Sequence, residues 1–185
     1  MRGDAVAGRL LLIYEEEARR LEAAKDFAPD VLRSAARLVR RFVEDYHETV
    51  EEKFVFPRFE KSAKPLTELV AALRQHHQAG RLLTDDIQRL SASETLATAE
   101  GQARLAKSLR LFVRMYRPHA LREETVLLPA LHDVLDEKAN AELAETVEHE
   151  EQTLLGERGA SAVVDEVARL EREVGIHDLA KLLPR

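Results

Sequence analysis

Two histidine–glutamate pairs are the residues of this chain best suited to chemistry. His47 precedes Glu51, and His119 precedes Glu123, with three residues between the members of each pair. Because a helical turn takes about 3.6 residues, each histidine lies on the same helix face as its glutamate. Each pair sits on a stripe that is otherwise apolar, and burying four such groups without a partner would be costly. The spacing therefore predicts a shared cation, as in helical bundles that hold two metals.

The two pairs occupy matching places in an internal repeat. A Phe-Val-x-x-Tyr segment begins at Phe42 and again at Phe112, and both copies continue as His-x3-Glu-Glu-x4-Pro. The second copy carries extra residues, Pro118 among them, immediately before its histidine. Insertions inside helices often form bulges at functional sites. One pair alone would be a weak signal, whereas two at matching points of a repeat are much more specific.

The elements that must position these pairs have the pattern of helices joined by short loops. Apolar residues recur at three- and four-residue spacing. They predict helices over about 4–25, 29–53 or beyond, 65–90, 98–128 with an interruption or kink at Pro118, 139–155 and 160–174, and a short last helix after Gly175. We therefore predict an all-α protein with a single domain over 1–185. An up-down-up-down four-helix bundle spans about 4–131 and a helical extension about 137–185.

Composition narrows the chemistry. The chain has no cysteine, which excludes disulfides, cysteine-ligated zinc, iron–sulfur clusters and a cysteine nucleophile. The net charge is −6 without a basic block, which argues against nucleic acid as a partner. The apolar run Leu10 to Ile13 is too short to span a membrane, and the start lacks signal-peptide features. We expect a cytoplasmic protein with no membrane partner, and we leave a homodimer open.

Several stretches resemble the hemerythrin HHE cation-binding domain family. The segments RFVEDYHETVEEKFVFPRFE, LRQHHQAGRLLTDDI and FVRMYRPHALREETVLLPAL are similar to helices 2, 3 and 4 of that family. The segments VEHEEQTLLGE and LEREVGIHDLA are similar to the extension of one bacterial branch. The resemblance covers nearly the whole chain. It implies a carboxylate-bridged centre of two iron ions, with zinc or manganese as other metals that these ligands accept.

The resemblance also implies a ligand set. His47 and Glu51 match the family's helix 2 ligands, and His119 and Glu123 match those of helix 4. The helix 3 ligand matches His77, although the apolar stripe of that helix prefers His76, so both stay candidates. Glu48 directly follows His47 and is either an additional ligand or a hydrogen-bond acceptor for one.

One position departs from the family pattern. The family usually has a histidine near the start of helix 1, and counting back from Tyr14 places Asp4 there. The simpler interpretation is that Asp4 caps helix 1; the other is that its carboxylate replaces the histidine. If Asp4 is only a cap, the centre holds one metal, binds a second weakly, or uses His149 from the fifth helix. His149 is otherwise a surface residue.

Three functions are compatible with these residues. The first is a hemerythrin-type metal-binding protein that binds O2 or another diatomic ligand, senses O2, nitric oxide or redox state, or holds iron. The second is a di-iron oxidase or peroxidase that uses the same ligands. The third is a helical interaction module without a metal. We favour the first, in which the protein is not an enzyme.

Overall fold

Helices make up almost all of the described chain. The computed structural model describes residues 2–178 and 180, and no strand occurs among them. The α-helices are α1 (Arg2–Glu22), α2 (Pro29–Leu38), α3 (Lys64–Leu90), α4 (Ser93–Leu96), α5 (Ala99–Arg122), α6 (Leu128–Val134), α7 (Glu137–Leu155) and α8 (Gly159–Val174). Two π-helical segments, Val39–Glu48 and Glu51–Val55, continue α2 and lead into the 3-10 turn Phe56–Phe59; a third, Glu123–Leu127, joins α5 to α6. The all-α fold class predicted from the sequence is confirmed.

The bundle consists of α1, α2 with its π-helical continuation, α3 and α5. α1 packs along α5, and α3 packs along α5 and the segment Val39–Glu48. Local signals set several helix starts: Pro29 opens α2, and the Thr98 side chain accepts a hydrogen bond from the Gly101 amide at the start of α5. Asp136 caps α7 in the same way.

The C-terminal helices α7 and α8 pack against the bundle. α8 contacts α1 and α2, and α7 contacts α8 and the segment Val39–Glu48. Val163, Val167 and Leu170 of α8 are buried in the main apolar core. The short helix predicted after Gly175 falls largely outside the described residues. Among the described helices, none combines the length and apolar content needed to cross a bilayer.

Two features of the predicted helices differ in the structure. α1 begins at Arg2 and ends at Glu22, so it is shifted toward the N-terminus relative to the predicted range. The predicted interruption at Pro118 does not occur, because α5 continues through it to Arg122. A proline removes one backbone donor and crowds the preceding turn, but the buried neighbours Tyr116 and His119 hold this stretch against the bundle. The change in helix geometry comes later, at Glu123.

The ligand candidates lie in a polar layer between two apolar cores. The main core contains residues from α1, α2, α5 and α8, and also Ile87 of α3. A second core contains Leu73 of α3 together with residues around the 3-10 turn and α6. His77 lies between Leu73 and Ile87 on α3, and His119 follows Tyr116, a member of the main core. The fold therefore buries these polar groups deep in the bundle, shielded from water on two sides.

Candidate metal centre

Three members of the two histidine–glutamate pairs lie where helix geometry departs from the α form, and the fourth, His119, lies in the last turn of α5. His47 lies in the π-helical segment Val39–Glu48, and Glu51 begins the next one. Glu123 begins the π-helical segment that follows α5. Hydrogen bonding from i to i+5 widens the turn, and such segments occur frequently at functional sites. The widened turns let adjacent acids such as Glu48 face inward together with the histidine.

Four buried side chains converge from three parts of the chain. We call Glu51, His77, His119 and Glu123 the four-donor group: each is at most 1% exposed, and their donor atoms lie within 4.8 Å of one another. His119 Nε2 lies 2.9 Å from Glu123 Oε1, and His77 Nε2 lies 3.6 Å from Glu51 Oε2. Two imidazoles and two carboxylates thus surround one small volume.

A second group shares a member with the first. Asp4, His47 and Glu123, the three-donor group, also place donor atoms within 4.8 Å of one another. His47 Nε2 lies 3.2 Å from Asp4 Oδ1 and 3.6 Å from Glu51 Oε1. Glu123 is common to both groups, and the two oxygens of Glu51 face different histidines. This arrangement suits two cations that share carboxylates.

The capping interpretation of Asp4 is wrong. Because α1 begins at Arg2, Asp4 lies inside the first turn, and its side chain is only 9% exposed beside His47. The preceding Gly3 allows this approach, since a Cβ on Gly3 would lie 2.3 Å from His47 Nδ1. The structure therefore places Asp4 where its carboxylate can take the place of the histidine that the resemblance implies.

The donor atoms of the four-donor group make no hydrogen bond of suitable geometry to the described residues. This holds for both oxygens of Glu51 and of Glu123, and for Nε2 of His77 and of His119. Each such buried group costs about 1–3 kcal/mol, and more if charged. A cation in contact with these atoms would satisfy them together, and imidazole with carboxylate suits iron, manganese or zinc. The residues present therefore fit a centre of two metals.

Burial controls the protonation of this centre. Loss of solvation lowers the pKa of His77 to about 2 and that of His119 to about 4, so both imidazoles are neutral, which is the form that binds metal. Loss of solvation raises the pKa of Glu123 to about 8. It also raises the pKa of Glu51 well above its usual value, and the negative charge of Glu123 adds to this effect. A bound cation would displace protons from these carboxyl groups.

His47 titrates differently from the other two histidines. Burial lowers its pKa, but the hydrogen bond to Asp4 and the charge of Asp4 outweigh burial, so the pKa of His47 is raised. The same contact lowers the pKa of Asp4 despite its burial. In the metal-free protein, these two side chains therefore act as an ion pair within the three-donor group.

Residues around the donors hold His77 in place. His77 Nδ1 lies 2.8 Å from Glu52 Oε1. Arg81 in turn donates to Glu52 Oε1 at 3.0 Å. An imidazole that donates its Nδ1–H to a carboxylate leaves Nε2 free for a metal. Glu52 is not among the site residues predicted from the sequence, although its position directly after Glu51 in the Glu-Glu repeat indicates a place near the donors.

The sequence left open whether Glu48 binds a metal or accepts a hydrogen bond from a residue that does. It is fully buried, and its Oε2 lies 3.0 Å from the Arg81 guanidinium. With Glu52 and His77 it forms a third set of neighbouring donor atoms. Burial raises the pKa of Glu48 to about 9. Its contact with the Arg81 guanidinium favours a supporting role beside the centre.

The structure separates the remaining histidine candidates from the donor groups. His76 is half-buried with its ring centroid 5.6 Å from that of His119, and it belongs to none of the three sets of donors. His149 on α7 is exposed and also lies outside these sets. Six of the predicted candidates, Asp4, His47, Glu51, His77, His119 and Glu123, are brought together.

Comparisons with known proteins agree with this geometry. The family model described as Hemerythrin HHE cation binding domain matches residues 7–131. Uncharacterized protein Rv1995 of Mycobacterium tuberculosis (strain ATCC 25618 / H37Rv) is 43% identical over 186 residues, a match that covers 100% of this chain and 72% of the relative. Uncharacterized protein Mb2018 of Mycobacterium bovis (strain ATCC BAA-935 / AF2122/97) matches to the same extent. No solved structure matches significantly. The chain therefore belongs to the hemerythrin HHE cation-binding domain family.

Proposed function

We propose that this protein holds two iron ions and binds a small diatomic ligand such as O2 or nitric oxide at that centre. The observation that carries the proposal is the pair of donor groups that share Glu123. The four-donor group and the added Asp4 and His47 give six side chains, half of them imidazoles and half carboxylates. A single cation would leave part of this set without a partner.

The donor chemistry supports iron. Imidazole and carboxylate together stabilise both ferrous and ferric states, whereas no cysteine is present to favour softer metals. Bound iron would supply redox electrons and an open coordination position for a diatomic ligand. Zinc and manganese accept the same ligands, so the proposal includes a claim about metal identity that metal analysis can test.

Two properties of the side chains suit the binding of a small ligand. The three-donor group has fewer side chains than the four-donor group, so a cation held by His47 and Asp4 would have more coordination positions left for a ligand. Apolar and aromatic groups enclose the other side: Phe56 stacks on His77 at a centroid distance of 5.4 Å, and Tyr116 lies 4.7 Å from His119. Excluding water protects a reduced metal from side reactions.

The experiment is anaerobic reconstitution with ferrous iron, followed by titration with nitric oxide and then, separately, O2. We expect a saturable change in absorption whose amplitude follows the iron content. His119→Ala should lose it, and His132→Ala, which removes an exposed histidine, should keep it. Zinc-loaded protein is the spectroscopic blank, because zinc has no redox chemistry. A protein that binds iron but shows no change with either gas would refute the ligand-binding proposal.

One observation favours a second function, an oxidase-type enzyme. A groove of about 510 Å³ runs beside Asp4, with Leu11, Leu12 and Leu121 among its lining residues. This volume is in the range of small-molecule pockets. Sustained O2 consumption in the presence of a reductant, beyond one turnover of the iron, would favour the enzyme; uptake that stops at saturation would favour binding.

A further inference from the structure

A separate cavity of about 210 Å³ lies between His47 and the C-terminal helices. Phe42, Val50, Val147 and Ala160 give it largely apolar walls. Val147 comes from α7 and Ala160 from α8, so the extension outside the four-helix bundle closes one side of the cavity. Apolar walls of this kind favour small uncharged molecules over ions.

His47 and Gly3 form the inner end of this cavity. His47 Nε2 faces Asp4 and Glu51, so the other edge of the imidazole borders the cavity. A Cβ on Gly3 would lie 2.3 Å from His47 Nδ1, so only a glycine lets the backbone of α1 pack this closely against the imidazole. The cavity therefore ends at one edge of a side chain of the three-donor group.

Tyr46 and Glu151 form the outer end of the cavity. The Tyr46 hydroxyl donates to Glu151 Oε2 at 3.3 Å, which is long for an O–H···O hydrogen bond and therefore weak. Glu151 Oε1 accepts from the Ala160 amide at 2.7 Å, which anchors the carboxylate to the start of α8. Because Tyr46 is 7% exposed, rotation of this one side chain would widen the opening of the cavity to solvent.

We propose that this cavity is the route by which an uncharged diatomic molecule reaches the metal centre, and that the Tyr46–Glu151 hydrogen bond gates it. The inference rests on the proposed function. The apolar walls admit O2 or nitric oxide, and the carboxylate at the mouth disfavours anions. The groove beside Asp4 is the competing entrance, but it is more open to solvent than this cavity, and no residue of α7 or α8 lines it.

The first test uses xenon and the metal-free protein, so it does not depend on iron. Xenon binds in apolar cavities that stay dry, and we expect a saturable xenon shift in NMR spectra at residues around Val147. Val147→Trp fills the cavity and should abolish the shift. Leu154→Trp is the matched control, since Leu154 is 43% exposed on the same helix and does not line the cavity.

The second test measures nitric oxide kinetics on the ferrous-loaded protein by flash photolysis and stopped flow. A blocked route raises the barrier in both directions, so Val147→Trp should slow association and release by about tenfold each while Kd stays unchanged. Tyr46→Phe removes the gating hydrogen bond and should speed both rates. Leu154→Trp should match the wild type.

If the association rate of nitric oxide is unchanged in both Val147→Trp and Tyr46→Phe, the proposed route is overturned. If Ala120→Trp slows association instead, the ligand enters through the groove beside Asp4. Absence of bound xenon in a protein that does load iron would overturn the route alone. A protein that takes up xenon but no iron would overturn the proposed function, and the route with it.

Discussion

Glu123 is the side chain common to both donor groups, so Glu123→Gln should remove both metals at once. The replacement is close in size and neutral. Because burial raises the pKa of Glu123 to about 8, this side chain is mostly protonated at pH 7 in the metal-free protein. Glutamine imitates that state, so the metal-free variant should be nearly as stable as the metal-free wild type.

The metal-loaded proteins should differ strongly. A ligand that binds only the folded state adds about 2.7 kcal/mol at 100 times its Kd, so two sites would add about 5 kcal/mol. For a chain of this length, each kcal/mol shifts Tm by about 2–4 °C, which predicts a gain of about 10–20 °C for the wild type. Glu123→Gln lacks the anionic ligand shared by the two sites and should gain less than about 5 °C.

Thermal unfolding followed by circular dichroism, with and without added ferrous iron, measures this gain. Glu124→Gln is the matched control, because Glu124 is the neighbouring residue, is exposed and undergoes the same change in charge. It should keep the full gain. If Glu123→Gln kept it as well, or if the two variants lost it equally, the reasoning that one carboxylate serves both metals would be refuted.

Three further predictions follow from the same geometry. Asp4→Ala should lower the metal content measured by elemental analysis from about two to about one per chain, because only the three-donor group contains Asp4. Asp4→His should restore the second metal. Loss of both metals in Asp4→Ala would contradict two separable sites. The metal-free protein should lose stability as pH rises: burial raises the pKa of Glu48 to about 9 and that of Glu123 to about 8 from 4.5. Their contribution is therefore complete below pH 4.5 and is lost as pH rises through about 8–9. Metal affinity should strengthen over the same window because binding releases these protons, and a metal-free Tm that rises across it would count against the buried acids. Glu52→Gln should weaken metal affinity by about 10–100-fold in chelator competition without changing the count at saturation, because Glu52 orients His77; an unchanged affinity would show that this contact has no such role.

Helical periodicity explains why much of the site was predictable. His47 and Glu51, like His119 and Glu123, are four residues apart, and that spacing alone puts each pair on one face. The repeat then predicted that two such faces would meet. Burial confirms that these faces point into the bundle, since all four residues are at most 3% exposed.

Other features depended on rotations and backbone shifts that spacing cannot report. His76 and His77 differ by one step around α3, and the apolar stripe of that helix favoured the half-buried one. Asp4 had the pattern of a cap because nothing local showed that α1 begins earlier, at Arg2. The family model matches only from residue 7, so the first turn of α1 had no support from it either.

The π-helical segments were the least predictable feature. The extra residues before His119 suggested a bulge at Pro118, but α5 stays α-helical there and the π-helical segment begins at Glu123. Where a helix takes up a wider turn depends on the packing of buried side chains around it, not on the inserted residue alone. The contact between Glu52 and His77 depends on the same local geometry.

Anomalous diffraction at the iron edge, from crystals grown with ferrous iron, tests whether these side chains hold two metals. We expect two peaks about 3.5–4 Å apart, as in other two-metal sites, one beside His77 and His119 and the other beside His47 and Asp4. Crystals that are grown with saturating ferrous iron and show no anomalous peak among these side chains would contradict a metal centre at this place.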